Sequence, residues 1–530
     1  MYKKGCDMKQ NKLKKLILRP VFSLLSFGTV LSTPFYSGSF KNFYLSLNIK
    51  IDKFEFRDQL MFSNSFGSEN TNESRHIDNK FELKILLNLD METEDENIIA
   101  RFNNDFITKI NKKNLKYLST IKSSTMPTVW LYFENEKDRQ TLLNYIKNWK
   151  EVFKLIIYKN EYTSYRVNNN MYEWILNPTP NEKKYMHKYI QNQNNVEKYI
   201  ASVEKNLDIV NSLDYDRVTS HDSKIGIMEI YHHDFDYTYE GFFGENLYLK
   251  ESQARVTHNG PKEHSTTVSL IAGGKHGVDK TSKIYLSTFS TDGEWNKYLE
   301  KMVKIDGVKI INHSYSFKTP DYNENSYFLD YLARKYGVIH VMAVGNINLD
   351  KEKENKKILV IGDNLLALNS VLVGSLKENA SKNTLKTNQI ATYSNYRLKQ
   401  EYDDLAKPLV VAPAEFYEIA YDKNGYGVGT SYSSPLVAGL ISNLLKANPK
   451  INNSEFRVPI VKAILSASAI TPKLSGLSYK NNGYEKKYGA GTVDFKGMLQ
   501  AANNYYVAKV DPTSRNRNVL TSNPITLQKG

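Results

Sequence analysis

An α/β fold is predicted, and three features of the sequence carry it. Short apolar runs of strand character recur at residues 224–230, 283–286, 308–316, 338–346 and 409–413. Helical periodicity falls between and after them, first at 263–273. It returns where Leu436, Val437, Leu440, Ile441, Leu444 and Leu445 recur every three to four positions. Ahead of this region, residues 80–160 follow a βαββαβ order, the pattern of a ferredoxin-like α+β unit.

The elements of that first unit are read in order. Residues 81–87 read as an apolar strand, and Ile98, Ile99, Phe102, Phe106 and Ile110 then line one face of a helix. A weak strand is expected at 115–118 and a strong one at 128–133. A second helix carries Leu142, Leu143, Ile146 and Trp149, and a final strand covers 152–158. Residues 63–79 are rich in Ser, Asn and Glu and read as a linker. Residues 161–220 are rich in Asn and Tyr, with a helix expected at 196–210.

The most specific stretch is Gly429-Thr430-Ser431-Tyr432-Ser433-Ser434-Pro435-Leu436-Val437-Ala438-Gly439. It sets a hydroxyl where a glycine turn enters an apolar helix. Gly429 is expected to permit a path that exposes Ser431, and Pro435 to be tolerated in the first helical turn. A helix N-terminus offers free backbone N–H groups and a positive dipole end, which suit a developing oxyanion. A serine alone is inert, so a base, an orienting acid and an oxyanion donor are needed. His264 opens a helix that ends at Gly273-Gly274. Glu229 lies near the end of the strand Lys224–Ile230, with Asp234 and Asp236 as reserve carboxylates in the loop beyond. Asn346 ends the apolar run Val338-Ile339-His340-Val341-Met342-Ala343-Val344-Gly345.

These segments resemble those of the subtilisin-like serine proteases, the subtilases. The Ser431 stretch is similar to the family's nucleophile segment, and the residues from Glu263 to Gly273 to its His-Gly-Thr-His-Val-Ala-Gly segment. Ser265 and Thr267 depart from that pattern. Val344-Gly345-Asn346 resembles the strand end whose asparagine faces the tetrahedral oxygen. Ile311-Asn312-His313-Ser314-Tyr315-Ser316 resembles the strand that pairs with an extended substrate. Tyr488-Gly489-Ala490-Gly491-Thr492-Val493-Asp494 resembles the closing motif of the domain, so the likeness runs from about residue 224 to 502. The chain order is acid, base, oxyanion donor, nucleophile, unlike that of α/β-hydrolases or chymotrypsin-like folds.

The resemblance implies a mostly parallel sheet with helices on both faces, its site at the carboxyl ends of the strands. It implies Ser431 as nucleophile, His264 as base and Glu229 as orienting acid, where the family carries aspartate. Asn346 would be the oxyanion donor, with Ser314, Tyr315 and Ser316 along the substrate groove. Residues 80–160 are similar in arrangement to subtilase propeptides, which implies a zymogen. The expected division is leader or anchor 1–33, linker 34–79, propeptide-like unit 80–160, connecting segment 161–215, catalytic domain 216–505 and polar tail 506–530. Glutamate at the acid position and the altered histidine segment motivate a rival reading, an inactive subtilase-like surface binding protein.

Composition bounds the partners. The 530 residues carry a formal charge of +14, but the first twenty alone hold a net +6, followed by an apolar run at 21–31 and Ser32-Thr33-Pro34. That is the pattern of a secretory leader and falls short of the roughly 20 apolar residues of a membrane span. A secreted protein is therefore expected, or a surface-tethered one if the leader is retained. A chain without the leader would carry +8. No basic stripe and no phosphate-binding loop stands out, so nucleic acid is not an expected partner. Protein or peptide substrates and a monomer are expected. Cys6 is the sole cysteine, which excludes disulfides and thiolate metal sites in the rest of the chain. No cofactor and no metal ligand set is expected; a structural Ca2+ site is not readable. His232 and His233 in the Tyr-rich loop read as exposed.

Overall fold

The computed structural model describes residues 81–89, 95–157, 163–164, 193–215, 223–230, 235, 237–249, 263–317, 322–346, 363–396, 407–420, 425–477 and 483–508. The leader, the linker, Asp234, Asp236 and the histidines beside them lie outside the described residues, as does most of the tail.

The N-terminal unit consists of β1 (Phe81–Leu87), α1 (Glu96–Asn111), β2 (Ser119–Lys122), β3 (Thr128–Phe133), α2 (Glu136–Ile146) and β4 (Val152–Ile156). Its four strands form an antiparallel sheet in the order β2-β3-β1-β4, which is ferredoxin-like. Asp95 caps α1 by accepting from Asn97 N–H, and Asn135 caps α2 through Asp138 N–H. One strand lies four residues later than expected, at 119–122 rather than 115–118. Asn114, at φ 53°, turns the chain there, and Leu118 remains exposed. The last strand stops at Ile156, two residues early.

A two-residue strand, β5 (Thr163–Ser164), and helix α3 (Gln193–Ile209) follow. Tyr199, Val203 and Leu207 of α3 sit in the same core as the central sheet, and Tyr199 donates to Leu270 O at 2.8 Å. The packing therefore joins this helix to the C-terminal unit, upstream of the expected boundary at 216.

That unit contains β6 (Lys224–Ile230), β7 (Leu247–Leu249), α4 (Glu263–Ala272), β8 (Lys283–Phe289), α5 (Asp292–Lys304), β9 (Ile310–His313), β10 (Tyr315–Ser316), α6 (Glu324–Tyr336), β11 (Ile339–Ala343), β12 (Val371–Ser375) and β13 (Val410–Ala412). After them come β14 (Glu415–Tyr417), β15 (Tyr426–Val428), α7 (Thr430–Ala447), α8 (Pro449–Asn452), α9 (Arg457–Ser468) and α10 (Phe495–Ala501). The seven-stranded sheet, ordered β13-β12-β11-β9-β6-β8-β7, is parallel at every pairing. Strand residues alternate between its faces. Ile225, Ile227, Ile310, Ile339, Val341 and Val373 pack with α3, α4, α7 and α9, whereas Met228, Ile311, Met342 and Leu372 pack with α5 and α6. Both faces are therefore covered, as parallel sheets require. Period two puts Glu229 on the face of Ile225 and Ile227, under α4 and α7, and His313 on the opposite one.

The N-terminal sheet packs its odd-numbered residues, such as Leu83, Ile85, Val129 and Leu131, against α1 and α2. Its even-numbered residues meet α5 and α6. Lys84 Nζ lies 2.9 Å from Asp292 Oδ2 and 2.8 Å from Asn325 Oδ1, and Trp130 Nε1 donates to Asp292 at 2.8 Å. Glu82 Oε1 accepts from Gly293 N–H at 3.1 Å. A Cβ on Gly293 would stand 2.4 Å from the Tyr132 hydroxyl, so only glycine admits this contact.

Candidate active site

Helix α7 and the strand ends beside it build the site. Gly429 precedes α7 with φ 160° and ψ 153°, an extended backbone open to any residue, so the expected glycine turn is not what directs Ser431. Nor is Ser431 exposed: its accessible surface is 0%. Because α7 begins at Thr430, Pro435 sits in its second turn rather than its first. Proline has no N–H to give the carbonyl four residues back, which is that of Ser431. Ser314 Oγ supplies the missing bond, donating to Ser431 O at 3.0 Å. The Ser431 hydroxyl in turn points to Ser314 O at 3.5 Å. Asn312 extends the tie, donating to Ser314 Oγ at 2.9 Å and accepting from Ser434 Oγ at 2.6 Å. The proline of the motif thus couples the start of α7 to the end of β9.

Gly439 has a packing role. A Cβ there would come within 2.6 Å of Val278 Cβ and 2.8 Å of Ala272 O, so its absence lets α7 lie close to α4. His264 is the second residue of α4. Its Nδ1 is 2.8 Å from Glu229 Oε2, while Glu229 Oε1 accepts the Ile230 N–H at 2.9 Å. A carboxylate only accepts, so the ring proton sits on Nδ1 and the basic lone pair on Nε2. Glu229 and His264 are buried. The His264 ring lies 6.3 Å, centroid to centroid, from that of Tyr432, the residue after Ser431.

Asn346 follows Gly345, whose φ of 100° is left-handed, at the end of β11. Its Oδ1 accepts from Thr430 N–H at 3.1 Å and from Thr430 Oγ1 at 3.0 Å, and Thr430 Oγ1 also accepts from Gly345 N–H at 3.1 Å. A backbone N–H can only donate, so the amide oxygen must face Thr430. The amide NH2 is then the end turned away from the Thr430 N–H.

The expected groove residues divide. Ser314 reaches α7 as described, and the backbone of Tyr315 and Ser316 pairs antiparallel with β5, Tyr315 opposite Ser164 and Ser316 opposite Thr163. The Tyr315 side chain turns into the core rather than lining a groove. Trp295 Nε1 donates to its hydroxyl at 2.7 Å, and that hydroxyl meets His313 Nδ1 at 2.7 Å. Indole only donates, so the tyrosine oxygen accepts from Trp295, and His313 Nε2 shares a further hydrogen bond with His340 Nδ1 at 3.0 Å. Burial, with His340 adding to it, holds His313 well below the usual histidine range, and burial pushes His340 down to about 3. This buried chain braces the end of β9. Sequence reasoning missed it, as it missed Thr430 and the pairing of β5.

Among the described residues, no cluster of His, Cys, Asp and Glu could hold a metal ion, and no helix is long and apolar enough to cross a membrane.

A profile of the subtilase family matches residues 220–491, more than half of the sequence, and the chain belongs to that family. Solved structures similar to it include the epidermin leader peptide processing serine protease of Staphylococcus aureus. That protein is 14% identical with a TM-score of 0.50, and the match covers 81% of this chain and 100% of that one. Fervidolysin of Fervidobacterium pennivorans, a keratinolytic enzyme related to subtilisin, is 16% identical with a TM-score of 0.46. That match covers 83% of this chain but only 63% of fervidolysin. The first likeness shows the fold, a subtilisin-like α/β sheet. A search of curated proteins gives no match.

Proposed function

We propose that this protein is a serine endopeptidase that cleaves protein or peptide substrates through an acyl-enzyme. His264 Nε2 takes the Ser431 proton as Oγ bonds to the scissile carbonyl carbon. The resulting imidazolium returns that proton to the leaving amine as the C–N bond breaks. Glu229 holds the imidazole in the reactive tautomer. Asn346 Nδ2 and the Ser431 N–H stabilise the tetrahedral oxygen. Water then repeats the sequence and frees the acid product. The observation that carries this reading is the 2.8 Å contact of Glu229 with His264, beside the first turn of α7. Glutamate serves where the family has aspartate because its extra methylene still delivers Oε2 to the ring.

Synthesis as a zymogen belongs to the same proposal. The N-terminal sheet packs on α5 and α6, and β5 pairs with the strand end at which a substrate would add as a strand. The basic, apolar start of the sequence supports export, with retention at the surface if it is not removed. Ser431→Ala tests the assignment. The wild-type chain should digest an unfolded protein and the variant should lose at least a thousandfold in rate, together with any self-processing. Equal rates would refute it.

A further inference from the structure

Helix α7 is closed near its start by a strand end of the sheet. In an α-helix the carbonyl of one residue takes the N–H four residues on, and Pro435 has none to give Ser431. The donor that reaches Ser431 O is Ser314 Oγ, at 3.0 Å, from between β9 and β10. The sense of that bond is fixed, because a carbonyl only accepts. Ser314 Oγ in turn accepts from Asn312 Nδ2 at 2.9 Å, and Asn312 Oδ1 accepts from Ser434 Oγ at 2.6 Å. The relay therefore runs from Ser434 through Asn312 and Ser314 to Ser431, beginning and ending on α7. Asn312, Ser314, Ser431 and Ser434 all have 0% exposure, so bulk water cannot replace a lost partner. On the other side of the same segment, His313 and Tyr315 are tied to His340 and Trp295. Residues 312–315 are thus held from both faces of the sheet.

From this relay we infer that the Ser314 side chain is a positioning group for the nucleophile. The backbone of the next two residues, Tyr315 and Ser316, pairs with β5, and in the peptidase reading a substrate strand takes that place. One short segment then sets the position of both reactants, and the Ser314–Ser431 bond links them. The Ser431 main chain carries the hydroxyl and also the N–H proposed for the oxyanion, so a shift of its carbonyl moves both. Displacement of a reacting group by about 1 Å can cost on the order of 100-fold in rate. Pro435 belongs to the same device. An N–H at that position would compete with Ser314 for the Ser431 carbonyl and let α7 close on itself, independently of the strand. Ser314 exchanges no proton with substrate in this scheme.

The inference rests on the peptidase reading, and the test separates the two. Pre-steady-state acylation of the full chain by a p-nitrophenyl ester reports the attack of Ser431. Steady-state hydrolysis of a short peptide gives kcat and KM. Ser314→Ala removes the donor and keeps the backbone that would meet the substrate. It should slow acylation about tenfold and lower kcat with KM unchanged. With Pro435→Ala in place, residue 435 regains an N–H that can serve Ser431 O. The same Ser314→Ala change should then cost less than about threefold, because two donors serve one acceptor. Ser314→Cys keeps a weak donor of nearly the same shape and should fall between Ser314→Ala and wild type. Thermal unfolding of each variant shows whether it folds, and Ser314→Cys is the gentler change if Ser314→Ala does not. Wild-type acylation in Ser314→Ala, an equal loss with and without Pro435→Ala, or a change confined to KM would overturn the positioning role and leave the peptidase standing. A wild-type chain that is never acylated would sink both.

Discussion

The central sheet and the N-terminal sheet each bury two faces, by opposite means. Between its helices the parallel sheet is mostly apolar on both sides, with Glu229, Asn312, His313 and His340 among its buried polar residues. The antiparallel sheet buries Leu83, Ile85 and Val129 on one face but Glu82, Lys84, Trp130 and Tyr132 on the other. The same contrast holds for single carboxylates. Glu229 is buried against an imidazole and a backbone N–H. Glu82 is buried against Gly293 N–H and the Tyr132 hydroxyl, with the Asp292 carboxylate close by. In the proposed function the first geometry serves chemistry; the second predicts an interface that responds to pH.

The largest effect expected from this contrast lies at the acid. Glu229→Ala should lower kcat by about 10⁴-fold, the scale of losing the tautomer-holding acid in a Ser-His-Asp triad. Glu229→Asp, one methylene shorter on the same strand, should fall between that variant and wild type. Steady-state kinetics on one peptide substrate ranks the three. Asn346→Ala should cost about 10²–10³-fold in kcat with KM little changed, the scale established for a subtilisin oxyanion donor.

The interface should give a smaller effect of a different kind. Burial, then Asp292, pushes Glu82 up to about 7 from its ordinary 4.5, and Lys84 offsets only part of this. Closing the N-terminal sheet onto α5 therefore takes up a proton. The resulting stability is fully present below pH 4.5 and is lost as pH rises through 7. Amide exchange at residues 123–126, corrected for intrinsic rate, should show opening that grows roughly tenfold per pH unit between pH 5 and 7. Glu82→Gln, a neutral mimic of the protonated acid, should flatten that slope; a wild-type slope in the variant would refute the assignment. Of the other groups here, Glu324 and Asp292 face Lys84, Arg139 reaches Glu82 O at 3.3 Å, and Glu294 acts on Tyr132.

The smallest predicted effect concerns Glu300 of α5. It accepts from Ser123 Oγ at 2.5 Å, from both Ser124 N–H and Oγ, and from Thr125 N–H and Oγ1. Glu300→Gln keeps the shape but loses charge-assisted bonds. It should increase opening about tenfold in the same exchange experiment.

This difference between the regions also decides what the sequence could disclose. Five strands of the central sheet (β6, β8, β9, β11 and β13), α4 and α7 follow from apolar runs, helical period and turn residues, whereas β7 and β12 are not among the runs read from the sequence. Those are local signals. Glu82 and Lys84 alternate with leucine and isoleucine, a pattern that reads as one solvated face, because nothing local tells water from the end of α5. Likewise, Pro435 reads as a first-turn proline until Ser314 is known to satisfy the Ser431 carbonyl. What escapes the sequence is long-range polar pairing, which leaves no periodicity.

Labelling with a fluorophosphonate, followed by mass mapping of the adduct, is the most direct probe of the proposed catalytic centre. Phosphonylation should fall on Ser431 alone in the wild-type chain and become at least a thousandfold slower in His264→Ala. An adduct on another residue, or an undiminished rate without the imidazole, would contradict the account.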